Sequence, residues 1–174
     1  IGAGLGGIGG AGGSGGIGGT GGAGGIGGVS DINSSYVVGG TVSGSSEIGG
    51  FAGQIVNGAA GISGTGSSLP GAGGLGGAAT ISTTYAASGL VSGTTNVGGL
   101  LGLDGGTVTS SFWDISTTGQ ALSAGGVGAV GITTTALAMT QSSYAGWDFT
   151  NTWWMSNTDT RPFLRSEHST TITN

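Results

Sequence analysis

Residues 6–29 run as eight consecutive Gly-Gly-X triplets, with Ile8, Ala11, Ser14, Ile17, Thr20, Ala23, Ile26 and Val29 at the X positions. A period of three matches neither the turn of an α-helix nor the alternation of a strand. It matches a polyproline-II-type helix, whose three residues per turn put every X side chain on one edge and leave two glycine edges that other backbones can approach. Such a helix makes no internal hydrogen bonds, so its amides need partners on neighbouring segments. Glycine also loses more backbone entropy on ordering than any other residue, and this chain carries 46 glycines in 174 residues. The tract is either a packed assembly element or a flexible linker. Ile8, Ile17, Ile26 and Val29, at four of the eight X positions, favour packing. The formal G-x-G-x-x-G of Gly2, Gly4 and Gly7 carries no nucleotide-binding expectation, because no strand precedes it and no helix follows.

A second regularity begins where the triplets end. Residues 32–53, INSSYVVGGTVSGSSEIGGFAG, return at 81–102 as ISTTYAASGLVSGTTNVGGLLG, displaced by 49 positions without a gap. Nine of the 22 pairs are identical, among them Ile32/Ile81, Tyr36/Tyr85 and Val42/Val91, and Ser34/Thr83 or Ile48/Val97 keep their chemistry. The stretch 107–114, TVTSSFWD, restarts the pattern at an offset of 27 from Ile81, so the spacing of 49 reads as two coils of about two dozen residues, the intervening one blurred across 54–79. β-Branched and aromatic runs separated by Gly-Gly and Ser/Thr clusters read as short strands with corners.

Composition narrows the function. Charged residues make up only 5% of the chain and the mean hydropathy is positive, the reverse of a disordered, solvated segment. The net charge is −5, lysine is absent, and Arg161 and Arg165 are the only cations besides His168, so nucleic acid and anionic lipid are not expected partners. There is no cysteine, and no apolar run reaches the roughly 20 residues of a membrane span. The start at Ile1, without a charged and apolar leader, reads as a mature or trimmed product.

The aromatic residues concentrate late: Phe112, Trp113, Tyr144, Trp147, Phe149, Trp153, Trp154 and Phe163 are expected to form a compact closing cluster, with a sugar-binding platform as the alternative use. Residues 133–141, TTTALAMTQ, read as a short helix with a threonine N-cap that carries Leu137 and Met139 toward that cluster. The tail 168–174 reads as an extended strand free to add to a neighbour. No Ser/His/Asp arrangement forms around the lone His168. A carboxylate pair such as Asp104 and Asp114 is the nearest approach to catalytic chemistry, and hydrogen bonding is the expected use of Asp114 and Asp148. No catalytic residue, metal site or cofactor is expected.

The stretch TTYAASGLVSGTTNVGGLLG resembles the GLUG repeats of large bacterial surface proteins related to filamentous haemagglutinin. SFWDISTTGQ at 111–120, GITTTALAM at 131–139 and YAGWDFTNTWW followed by RPFLR are similar to the segment that closes GLUG arrays, so the resemblance covers roughly 30–165. The triplets fall outside it and are similar to glycine-rich PGRS-type sequence. The resemblance implies a secreted, right-handed parallel β-helix with a role in adhesion or surface structure. The expected fold is therefore all-β: a Gly-Gly-X assembly segment over 1–29, a short parallel β-helix (β-solenoid) over 30–119, an aromatic cap over 120–167 and a tail over 168–174. The expected function is a non-enzymatic subunit of a secreted filament or surface matrix, polymerising with itself by stacking. Ile8, Ile17, Ile26, Val29 and Ile172 are the candidate assembly residues. Alternatives are an adhesin that binds surface glycans and an ice-binding protein that presents Thr83/Thr84, Thr94/Thr95 and Thr107/Thr109 as a hydroxyl array.

Overall fold

A computed structural model describes residues 2–10, 22–65 and 70–167, in two compact units: Ile1–Asp31 with Ile55–Thr80, and Ile32–Gln54 with Ile81–Asn174.

In the first unit four extended segments, 2–10, 22–29, 57–64 and 71–78, lie side by side and are joined by backbone hydrogen bonds. The first and third run parallel, through Gly6 N–H to Ala59 O and Gly9 N–H to Ile62 O. The second and fourth do the same, through Gly24 N–H to Ala72 O and Gly27 N–H to Leu75 O. Antiparallel ladders join the first to the second (Gly4, Gly7 and Gly10 N–H to Gly28, Gly25 and Gly22 O), the third to the fourth, and the fourth back to the first. Every ladder advances three residues per rung, at 2.6 to 3.1 Å, which is the three-fold period of a polyproline-II helix written into the pairing. Glycine is obligatory on the inward rows. A Cβ at Gly74 would overlap the backbone of Gly24 and Gly25, and one at Gly61 would overlap the Gly7 carbonyl. The stretch read as a blurred coil thus contains a second pair of glycine helices, 57–64 and 71–78.

The second unit carries the repeat. Strands β1 (Ser30–Val38), β2 (Val42–Ser43), β3 (Ser46–Gly49) and β4 (Ala52–Val56) precede β5 (Ala79–Ala87), β6 (Val91–Ser92), β7 (Thr95–Gly98) and β8 (Leu101–Gly105). Next come β9 (Thr107–Thr109), β10 (Ser111–Asp114), helix α1 (Ile115–Thr118), β11 (Ala129–Ile132), helix α2 (Thr135–Ala138), β12 (Trp153–Trp154) and β13 (Phe163–Leu164). Val42 pairs with Val91 and Ile48 with Val97, both in parallel strands and both 49 positions apart. Phe112 on β10 pairs with Tyr85 on β5, at the offset of 27.

The continuous all-β, right-handed β-solenoid expected above is not what the chain forms. Parallel pairing is divided among separate small sheets: one follows the order β1-β5-β10-β11 with β9 beside β5, and three are the two-stranded pairs β2-β6, β3-β7 and β4-β8. β12 and β13 pair antiparallel, and two four-residue helices complete a small mixed α/β arrangement. The solenoid-based view of a fibre built by stacking coil ends loses its basis with that fold. Local chemistry explains the division. Strands of two to five residues stop at glycine corners, where a Cβ at Gly49 would strike Ala52 O and Leu100 O and one at Gly50 would strike Gly99 O. After β10 the Asp114 carboxylate accepts the Ser116 N–H at 2.9 Å and starts α1, which Gly119 ends in the left-handed region at φ 70.

The core of this unit gathers Tyr85, Phe112, Ile132, Ala138, Tyr144, Trp147, Trp153 and Met155, with Tyr36, Phe149 and Leu164 packed against it. Each buried ring removes roughly 150–250 Å² from water, a gross gain of about 4–6 kcal/mol at 25 cal/mol per Å². Thr134 caps α2 by accepting the Leu137 N–H, but the face turned inward carries Ala138, and Leu137 is exposed.

Candidate functional site

The first unit presents an unusual surface. Its residues up to Ser30, and those from Ile55 to Thr80, include no Asp, Glu, Lys, Arg or His, so Asp31 is its only charged residue. The X positions point outward: Leu5, Ile8, Ile26, Val29, Ile62 and Leu75 are each 67% to 78% exposed. Ile8, Ile26 and Val29 of the expected assembly set therefore sit on the outside of the bundle, while Ile17 and Ile172 lie outside the described residues, as does His168.

The second and third segments occupy equivalent places in the bundle, and comparing them isolates one row. Each donates from one inward glycine row to the fourth segment (Gly24 and Gly27; Gly58, Gly61 and Gly64), and in each the following row accepts from the first segment through its carbonyls. In the third segment that accepting row holds Ala59 and Ile62, both exposed. In the second it holds Gly22, Gly25 and Gly28, and a Cβ at any of the three would meet no described atom within 4 Å. Packing inside the bundle therefore does not require glycine there. The N–H groups of Gly25 and Gly28 donate no hydrogen bond to a described residue, so this row shows bare backbone to the outside.

In the second unit the structure brings Phe112, Tyr144, Trp147, Phe149 and Trp153 into one cluster and leaves three of the expected aromatics out of it. Trp147 stacks on Trp153 with centroids 4.1 Å apart, and Tyr144 meets Phe112 edge-on at 5.3 Å. Trp113 instead packs its ring against Gly99 and Gly131 and donates from Nε1 to Gln120 O at 2.8 Å. Trp154 and Phe163 face each other at 5.0 Å across the β12–β13 pair. The cluster also takes in Tyr36 and Tyr85, which stack with parallel rings 5.4 Å apart. Their identity at the repeat offset was the signal that they share one position of the fold. Burial raises the pKa of the Tyr85 and Tyr144 hydroxyls above the ordinary tyrosine range, and burial together with the hydrogen bond to Glu167 pushes Tyr36 up to about 12.

The carboxylates have structural partners. Asp114 is buried, caps α1 and pairs with Arg161, while Asp104 accepts the Gly106 N–H. Asp148 accepts from Thr150 and from Asn151, whose side-chain bond is the main cause holding its pKa below the ordinary carboxylate value. Among the threonines of the expected hydroxyl array, Thr94, Thr95, Thr107 and Thr109 are exposed, but Thr84 is fully buried against Ser111. No group of three or more His, Cys, Asp or Glu among the described residues could hold a metal, and no helix among them is long and apolar enough to cross a membrane.

No family model matches the chain, and comparison with curated proteins and with solved structures finds no significant match.

Proposed function

We propose that this protein is a non-enzymatic structural subunit of a secreted surface matrix, and that its copies associate through the glycine helices of the first unit. The observation that carries this reading is the row Gly22, Gly25 and Gly28. Glycine recurs there in three successive triplets although the bundle tolerates Ala59 and Ile62 at the equivalent place. Wherever else the segments touch, glycine stands at a close approach of two backbones, so an outward glycine row whose Gly25 and Gly28 N–H groups have no acceptor among the described residues suits the backbone of another copy. The neighbouring Ile26 and Val29 add apolar area to such a contact, and the lack of charge removes the repulsion that keeps most surfaces apart. The resemblance of 30–165 to repeats of surface proteins is in keeping with an extracellular location.

Sedimentation velocity of the full chain over a wide concentration range tests the proposal. Species heavier than the 16.2 kDa monomer are expected to grow with concentration. A single monomeric species at every concentration would overturn it.

A further inference from the structure

We infer that the second unit binds a neutral saccharide in the cleft between the turn at Gln141–Ser143 and Asn157. The cleft is open to solvent and spans about 560 Å³, room for a sugar ring. Its lining joins Tyr144, Trp147 and Phe149 with Gln141, Ser142 and Asn157, and it includes no charged side chain. Phe149, half-exposed, presents the ring face, and Tyr144 and Trp147 are buried behind it. Tyr144 donates from its hydroxyl to Ala138 O at 2.7 Å, Trp147 donates from Nε1 to Ser110 O at 2.7 Å, and Phe149 lies 6.3 Å from Trp147 in a stacked arrangement.

The polar rim is held differently. Asn157 Oδ1 accepts the Gln141 N–H at 2.9 Å, and the exposed Asn157 keeps its amide nitrogen as a donor. The Gln141 carboxamide and the Ser142 hydroxyl are exposed and make no hydrogen bond to a described residue. Two planar amides and a hydroxyl beside the Phe149 ring match the two chemistries of a sugar ring: an apolar C–H face and a fan of hydroxyls that both donate and accept. A charged ligand would find no counter-ion among the lining residues. A peptide would find no strand edge, because none of those residues belongs to a strand. The open, shallow shape suits one ring of a longer glycan rather than a fully enclosed metabolite.

The test titrates the full chain with maltotriose, cellotriose and chitotriose, using sialyllactose as the charged comparison. Tryptophan fluorescence and the NMR shifts of the Gln141 and Asn157 amides report binding. Saturable binding of at least one neutral trisaccharide is expected, at a dissociation constant of about millimolar or tighter. The double variant Gln141→Ala/Ser142→Ala should weaken it about tenfold or more, and Phe149→Ala should weaken it comparably. Both exchanges in the double variant are at exposed positions and should leave the melting temperature unchanged. No saturable binding by any of the three, equal or tighter binding of sialyllactose, or full binding by the double variant would overturn the inference.

Discussion

Replacing Gly74 with alanine puts a methyl group where the backbones of Gly24 and Gly25 already stand. Two hydrogen bonds meet at this residue, Gly74 N–H to Gly7 O and Gly61 N–H to Gly74 O, both at 2.8 Å. The methyl can be admitted only if the helices part, which gives up those two bonds at about 1 kcal/mol each. Forcing the packing apart costs about 1–3 kcal/mol more. The expected loss is therefore about 3–5 kcal/mol, or roughly 6–20 °C in melting temperature for a chain of this size. Gly25→Ala makes the control. It lies in the same bundle, but no described atom stands within 4 Å of the new methyl and its φ is not in the left-handed region. The exchange should raise stability by about 0.4–1 kcal/mol, because alanine has less freedom to lose from the unfolded chain. Both variants are melted at low protein concentration, where association does not contribute, with circular dichroism as the readout. A Gly74→Ala variant that melts within about 2 °C of the parent would rule out the clash, since that shift corresponds to under about 1 kcal/mol. Equal costs for the two exchanges would rule it out as well.

Other outcomes follow from the second unit. Asp114→Ala removes the cap of α1 and leaves Arg161 facing a site from which its partner has gone; a loss of about 3 kcal/mol is expected in denaturant unfolding, and a loss under about 1 kcal/mol would contradict the role given to the pair. Alkali should destabilise the protein. The folded-state pKa values of Tyr36, Tyr85 and Tyr144 lie above that of an unfolded tyrosine, so the stability they contribute is complete below about pH 10 and falls as the pH rises further, by up to about 1.4 kcal/mol per pH unit for each of the buried Tyr85 and Tyr144 rings while it stays protonated and by less for Tyr36, which solvent screens. Ultraviolet difference titration alongside melting checks this, and ordinary tyrosine titration near pH 10 with an unchanged melting temperature would contradict it.

Much of this architecture is legible in the sequence, and the rest is hidden for physical reasons. The triplets of 6–29 announce a three-fold helix because both of their repeated positions are glycine. The partner helices 57–64 and 71–78 escape notice. In 57–64 only the row pressed by neighbours is glycine, so Gly58, Gly61 and Gly64 stand among Ala59, Ala60, Ile62 and Ser63; in 71–78 the pattern is present but holds just two triplets, Gly73-Gly74-Leu75 and Gly76-Gly77-Ala78, too short a run to stand out in a glycine-rich chain. A search for glycine at every third position would have found them. The repeat gives the pairing of Val42 with Val91 and of Ile48 with Val97, because like residues occupy like places. It does not reveal that the sheets stay separate, which depends on how tightly Gly49 and Gly50 turn against the following strand. Late aromatic density points to a core. Membership of that core depends on direction: Trp113 turns toward Gly99 and Gly131, whereas Tyr36 and Tyr85 join from strands far earlier in the chain.

The proposed association places a second copy of the chain on the outward glycine row. Gly22→Ala/Gly25→Ala/Gly28→Ala fills that row with three methyl groups while leaving every inward glycine untouched. Sedimentation velocity of this variant beside the parent, at matched concentrations and with circular dichroism confirming the fold, is the direct measurement. A folded 16.2 kDa monomer is expected at concentrations where the parent associates. A folded triple variant that associates as strongly as the parent would contradict it.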